Sequence, residues 1–352
     1  MQIPLIKATG AHYDIGRQIG AAARNSLQDI HAEARATYAS RWESLLDASR
    51  SFLNATETHL PNVVAELRGA AAGSQLPFED LFLMSIEELL NEEVRGGAPF
   101  SLTVPERARG CSDLAAAPPA TVDGHVWLAH NNDLRPSSVE HLYLTQIQAE
   151  GEPEILAVTV GGLFISIGFN AAGISLTGNQ LYANDSRVGV PRLLMVRDIL
   201  AQTNFDSALQ SALLPERASS YNNLIASADG RMANVEGSAT DCELIWADQG
   251  VTVHTNHYRS PRMKKYEMAG YDPVPSETRC SRAAYYAETY HGRINRDICR
   301  LFLTDHVSEP ASVCRHQGEG VTVFSAIIDL TERRMWLARS NPCTNPYQEY
   351  TL

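Results

Sequence analysis

The chain has 352 residues, 44% of them hydrophobic and 20% charged, with a formal net charge of −12. That balance belongs to a folded globular chain and excludes disorder and collagen-like repeats. With no run of clustered Lys and Arg, the net charge also speaks against nucleic acid and anionic membrane surfaces, which both select basic footprints.

At about 150 residues per domain, the length allows about two domains or one large one. The opening MQIPLIKATGAHYDIG lacks a basic segment followed by an apolar run, so no signal peptide is read and a cytoplasmic location is expected. Helical texture follows over Asp14 to Leu46, Leu60 to Ala72 and Phe78 to Val94, with Pro77 suited to start the last. Glu79, Asp80, Glu87 and Glu88 read there as a solvated acidic face. The segment GGAPFSLTVPERARG has loop composition and marks a boundary near residue 100.

Beyond it come short, often β-branched runs: VWLAHNND, LYLTQIQ, EILAVTV, LFISIGF and GISLTGN. Ile155 to Asn184 carries no Asp, Glu, Lys or Arg, but Gly and Asn interrupt it before about 18 consecutive apolar residues accumulate. It reads as consecutive buried strands. Helices are expected over Pro191 to Gln202 and Phe205 to Leu214. Strands are expected over Asn223 to Ser227, Met232 to Glu236, Glu243 to Trp246 and Thr252 to Thr255. Helices over Ser276 to Tyr290 and Arg293 to Leu303 precede a last hairpin, VTVFSAIIDL and RRMWLAR. Clustered strands with helices in separate blocks predict an α+β fold with antiparallel sheets. No GxGxxG follows a strand and no GxxxxGK[ST] occurs, so dinucleotide and P-loop sites are excluded.

The six cysteines are Cys111, Cys242, Cys280, Cys299, Cys314 and Cys343. They form no CxxC pair and match no zinc spacing, so they read as reduced thiols and no metal site is expected. His254 and His257 stand in HxxH spacing, but a strand end does not turn both to one side. Cys111 differs by its place. It follows Gly110 where the loop gives way to strands. A cut between Gly110 and Cys111 would put a thiol and a free α-amine on one residue. Their reference pKa values, about 8.5 and about 7.7–8.0, let the amine relay the thiol's proton near neutral pH.

Downstream motifs carry a family resemblance over nearly the whole chain. They are Gly10-Ala-His-Tyr-Asp-Ile-Gly16 with Gly20-Ala-Ala-Ala, Arg109-Gly-Cys-Ser-Asp113, His130-Asn-Asn-Asp-Leu134, Ile167-Gly-Phe-Asn-Ala-Ala-Gly173, His254-Thr-Asn-His257 and Thr344-Asn-Pro346. In this order they resemble the acyl-coenzyme A:6-aminopenicillanic acid acyltransferase family of cysteine N-terminal-nucleophile hydrolases. The resemblance implies a four-layer αββα sandwich without cofactor. It also implies self-cleavage into a helical α chain, residues 1–110, and a catalytic β chain, residues 111–352, that stay associated.

On the matching positions, Cys111 is the implied nucleophile and Asp133 the holder of its α-ammonium. Asn256 of H-T-N-H is the implied oxyanion donor, and Asn179 a second active-site Asn. Glu319 stands where the family has an Arg in S-R-G-A-T-L-F, with Arg315 several residues upstream, and Asn132 replaces the Trp of Q-N-W-D. These departures imply a substrate other than the penicillin nucleus. The leading expectation is an amidohydrolase of a small acylated amine or amino acid. The alternatives are an acyltransferase using acyl-CoA or an amide, and an uncleaved binding protein.

Overall fold

The structure is a computed structural model that describes residues 2–94, 110–318 and 320–352. Of the loop expected over 96–110, residues 96–109 lie outside the described residues, as does the departure at Glu319, while Gly110 already belongs to a strand. In chain order the first elements are β1 (Leu5–Gly10), α1 (His12–Ala22), α2 (Arg24–Thr37), α3 (Trp42–His59), α4 (Pro61–Ser74), α5 (Phe78–Met84) and α6 (Glu87–Val94). The strand-rich part starts with β2 (Gly110–Ala116), β3 (Trp127–Leu134), β4 (Leu142–Ala149), β5 (Ile155–Val160), β6 (Phe164–Asn170) and β7 (Ile174–Asn179). It continues through α7 (Arg192–Ala201), α8 (Phe205–Ala212), β8 (Asn222–Ser227), β9 (Met232–Gly237), β10 (Cys242–Trp246) and β11 (Val251–His254). It ends with α9 (Val274–Thr289), α10 (Arg296–Leu303), β12 (Val321–Asp329), β13 (Arg334–Arg339) and β14 (Gln348–Thr351).

Two sheets result. One has the order β1-β4-β5-β6-β7-β8-β9-β10, the other β11-β2-β3-β12-β13-β14. Strand alternation sorts the second sheet's side chains into two cores. Ala115, Leu128 and Ala326 join the core shared with the first sheet. Leu114, Ala116, Ala129 and Ile327 instead pack with Ala283, Phe302 and Leu303 of α9 and α10. On the far side of the first sheet, Ile15, Leu27, Ile30, Ile199 and Phe205 bring α1, α2, α7 and α8 into the main core. The layers are helix, sheet, sheet, helix, as expected.

Several local expectations need correction. The run 14–46 is broken at Ala23 and around Tyr38–Arg41, giving α1, α2 and the start of α3. The helices must wrap a twisted sheet, a tertiary demand that helical propensity does not contain. The run 78–94 breaks at Ser85, whose hydroxyl donates to the Phe82 carbonyl at 2.6 Å and competes with the helix ladder. β1 and β14 escaped the sequence reading. β1 adds to the first sheet parallel to β4, so the sheets are not purely antiparallel and the N-terminal block is not purely helical.

The acidic face is not solvated either, since Asp80, Glu87 and Glu88 are buried and only Glu79 is exposed. Asp80 accepts from His31 Nε2 (2.6 Å) and Trp42 Nε1 (3.2 Å). Glu87 pairs with Arg192 Nε at 3.0 Å, and Glu88 accepts from the Arg192 main-chain N at 3.0 Å. Buried carboxylates persist because they are paired and hydrogen-bonded.

The motif Gly16…Gly20 has a packing explanation. A Cβ at Gly16 would lie 1.8 Å from the Glu66 carbonyl oxygen, and one at Gly69 1.9 Å from that of Tyr13. Backbone meets backbone where α1 crosses α4, and no side chain fits between. Gly16→Ala is therefore expected to lose about 1–3 kcal/mol of unfolding free energy in urea titration. Ala72→Ser, at an exposed position of α4, should leave it unchanged.

Candidate active site

The site begins with the pairing of β2 and β3. Gly110 lies opposite Asp133, Cys111 opposite Asn132, Ser112 opposite Asn131 and Asp113 opposite His130. Side chains alternate across a strand. Cys111, Asp113, His130 and Asn132 therefore share the face toward the other sheet. Asn131 points the opposite way and donates to the carbonyls of Leu303 (2.9 Å) and Val313 (3.0 Å) beneath α10.

Around the Gly110–Cys111 junction the polar groups converge. The Cys111 main-chain N donates to Asn256 Oδ1 at 2.8 Å. Arg279 Nη2 donates to the same oxygen at 2.8 Å, and its Nη1 donates to the Cys111 carbonyl at 2.5 Å. Asn256 Nδ2 donates to the Gln180 carbonyl at 3.2 Å. Two donors on one atom and a carbonyl on the other fix which way this amide points. Asp133 is fully buried. Its Oδ1 accepts from Thr322 Oγ1 at 2.7 Å. Its Oδ2 has no hydrogen-bond partner, lies 3.8 Å from Arg315 Nη1, and would sit 2.6 Å from a Cβ at Gly110. Burial raises the Asp133 pKa, while Arg315 and Arg279 pull it the other way.

On the inner face a buried chain of polar groups starts beside the thiol. His130 Nδ1 bonds Asp113 Oδ1 at 2.8 Å, and Asn179 Nδ2 donates to Asp113 Oδ2 at 2.7 Å. Asn222 Nδ2 donates to Asn179 Oδ1 at 3.0 Å, and His254 Nδ1 lies 3.0 Å from that oxygen. His254 Nε2 then meets Glu236 Oε1 at 2.8 Å. Burial opposes protonation of His130, but Asp113 outweighs it and, with Cys111, pushes the pKa up to about 10. His257, bonded to Ser276 Oγ at 2.8 Å, is pushed down to about 4 by burial and by His254.

Cys111, Asp133 and Asn179 line a cavity of about 800 Å³, counted with its opening. Its walls are apolar: Val160, Phe164, Ile165, Leu176, Leu193 and Val196. Polar side chains also line it, among them Glu87, Asn132, Ser166, Gln180, Tyr221 and Asn223. Pockets of this kind, apolar with a few convergent polar groups, hold small organic ligands.

The structure thus brings together the four residues singled out from the sequence. Asn256 reaches Cys111 without lining the cavity. His254 and His257 bond Glu236 and Ser276 rather than a common centre. Arg279, Asp113 and His130 were given no role by the sequence reading. Arg279 had a legible signal. It falls with Ser276, Cys280, Ala283 and Ala287 on the buried stripe of α9, where a lone guanidinium needs a partner.

The model of the family "Acyl-coenzyme A:6-aminopenicillanic acid acyl-transferase" matches residues 120–343. The chain is 23% identical, over 99% of its length and 95% of the relative's, to the acyl-coenzyme A:6-aminopenicillanic-acid-acyltransferase 40 kDa form of Emericella nidulans. It is 25% identical to the beta-alanyl-dopamine/carcinine hydrolase of Drosophila melanogaster, over 59% of this chain and 56% of that one. Among solved structures, a conjugated bile acid hydrolase from Clostridium perfringens aligns with 69% of this chain and 97% of its own at 11% identity, TM-score 0.49. Penicillin V acylase from Agrobacterium tumefaciens aligns with 69% of this chain and 86% of its own at 12% identity, TM-score 0.44. With the family match spanning more than half of its length, the chain belongs to the acyl-coenzyme A:6-aminopenicillanic acid acyl-transferase family and is an amidohydrolase or acyltransferase.

Proposed function

We propose that the protein is a self-processing amidohydrolase that cleaves a linear amide of a small acylated amine or amino acid through an acyl-enzyme on Cys111. One observation carries the reading. Asp133 Oδ2, buried without a hydrogen-bond donor, lies against the Gly110–Cys111 junction. Cleavage of that bond creates an ammonium group at Cys111, which is the donor this oxygen lacks. A buried acceptor left unpaired is costly, by about 1–3 kcal/mol, so processing relieves it.

The processing step starts at the thiol. Sγ attacks the Gly110 carbonyl carbon, the C–N bond breaks, and the thiol proton passes to the departing Cys111 nitrogen. Water then hydrolyses the thioester, giving a Gly110 carboxylate and a Cys111 with free thiol and amine. Before the cut no α-amine exists to relay a proton. His130, held protonated by Asp113, instead places a cation on the face of β2 and β3 that carries the thiol.

In turnover the same sulfur attacks the substrate carbonyl. The α-amine takes the thiol proton and gives it to the leaving amine. Asn256 Oδ1 keeps its hold on the α-amine, and the second N–H of its Nδ2 serves the developing oxyanion. Asn179 fixes Asp113 from the opposite sheet.

The apolar walls favour an apolar acyl group. Among the described residues that line the cavity there is neither Lys nor Arg to meet the phosphates of coenzyme A, which supports hydrolysis over transfer from acyl-CoA. No described helix is long and apolar enough to cross a membrane. All six cysteines are free, which supports placement in the cytoplasm. The α chain stays bound after processing through Glu66–Arg197 (2.6 Å) and Glu87–Arg192 (3.0 Å), buried ion pairs that cross the cut.

Denaturing mass spectrometry should find fragments 1–110 and 111–352 in the wild type and a single chain in Cys111→Ala. A wild type that stays uncut would lack the free α-amine and overturn this mechanism. Asp133→Asn should slow processing by about 10- to 100-fold, the worth of one hydrogen bond to a charged group. With processed enzyme, amides of medium-length apolar acids should release acid and amine without coenzyme A. Turnover confined to acyl-CoA with an amine acceptor would make it a transferase.

A pH effect follows from His130. The fold raises its pKa, so its stabilisation is whole below the unfolded value of about 6.5 and is lost as pH climbs towards about 10. Unfolding free energy should fall across that window more steeply in the wild type than in Asp113→Asn.

A further inference from the structure

Away from the cavity, the connection between α10 and β12 meets the loop between β13 and β14. His306, Cys314 and His316 come from the first segment and Cys343 from the second. Their ligand atoms all lie within 4.8 Å of one another. His306 Nε2 is 3.0 Å from His316 Nε2, and Cys314 Sγ is 3.7 Å from Cys343 Sγ. His316 Nε2 is also 3.6 Å from Cys314 Sγ and 3.2 Å from Cys343 Sγ.

Hydrogen bonding does not account for this. One imidazole nitrogen carries a single proton or a single lone pair, yet three polar atoms crowd His316 Nε2. A metal ion does account for it. Zinc–sulfur bonds of about 2.3 Å and zinc–nitrogen bonds of about 2.0–2.1 Å, set tetrahedrally, put nitrogen atoms about 3.4 Å apart, sulfur atoms about 3.8 Å apart, and mixed pairs about 3.6 Å apart. The four separations lie within about 0.4 Å of these edges.

We propose that His306, Cys314, His316 and Cys343 form a Cys₂His₂ site for a structural zinc ion. Four protein ligands close the coordination sphere and leave no position for a substrate. Two thiolates and two imidazoles suit a borderline-soft ion and exclude magnesium and calcium, which take oxygen. Binding releases both thiol protons, and the two thiolates balance the charge of the ion. Asn341 Nδ2, 3.5 Å from Cys314 Sγ, supplies a supporting N–H···S contact. Sequence spacing does not announce such a site, because its ligands come from two loops separated by a hairpin.

The site also bears on the cleavage junction. Arg315, whose guanidinium lies 3.8 Å from Asp133 Oδ2, sits between two of the ligands in sequence. Its main-chain N donates to Thr322 Oγ1 at 2.9 Å, and its carbonyl accepts from Asn341 Nδ2 at 2.7 Å. The metal would pin the main chain on both sides of that arginine. Arg315 is thereby a positioned residue and not a ligand.

The test is metal analysis of the full chain, purified under reducing conditions. The wild type should carry about one zinc per chain, the stoichiometry of a single four-ligand site. Cys343 is exposed, so Cys343→Ser should fold, checked by cooperative unfolding, and hold zinc at least about tenfold more weakly. Cobalt(II) added to chelated wild type should give the intense visible bands of a tetrahedral site with a thiolate charge-transfer band, the latter weakened in Cys343→Ser. Wild-type protein that takes up no zinc from one equivalent overturns the proposal. So does an unreduced mass lower by the two thiol hydrogens, which would mark a Cys314–Cys343 disulfide. Both wild-type measurements decide the matter even if the variant does not fold.

Discussion

The register of β2 against β3 governs everything at the site. It sets Gly110 beside Asp133, Cys111 beside Asn132 and Asp113 beside His130. A slip of one residue would turn the thiol towards α9 and α10 and send Leu114 into the polar interior, because strand side chains alternate with a period of two. The slip is prevented by apolar matching on both faces. Leu114 and Ala116 fit the helical side, and Ala115 and Leu128 fit the inter-sheet side. Chemistry and packing are thus written on the same seven residues of β2.

A second constraint is the amount of charge held inside. Glu66, Glu87, Glu88, Asp113, Asp133, Arg192, Arg197 and Arg279 are all nearly free of solvent. Such groups stabilise only when their partners are in place, and removing one partner exposes the full desolvation penalty of the other. The helical block is therefore specified by its ion pairs as well as by its apolar faces. Arg192 and Arg197, one turn and a half apart on α7, reach back to α6 and α4 respectively. This geometry makes the helical block a wall of the catalytic layers.

The order of strands and helices after residue 110 was legible because alternation and turn residues are local signals. The gathering of Cys111, Asp133, Asn179 and Asn256 was legible through the short motifs that carry the family resemblance. What was not legible depended on distant partners. Glu87 and Glu88 look like solvent residues until Arg192 is brought over them. β1 has no alternation strong enough to announce a strand, and its partner β4 lies more than a hundred residues away. His130 looked like a packing residue because Asp113 was not known to face it. In each case the missing information was a long-range contact.

Chain ends are ordinarily the most mobile part of a protein. The residue that would become an end here is different. β2 is flanked by β3 along its whole length and by β11 from Asp113 onward. A cut before Cys111 would therefore produce a terminus already fixed inside a sheet interior. The loss of conformational freedom needed to align a nucleophile with its proton carrier would be met once, when the chain folds, and not again at each encounter with a substrate. Alignment of that kind is worth several kcal/mol of barrier in reactions between held groups. A flexible N-terminal cysteine of the same composition would have no such advantage.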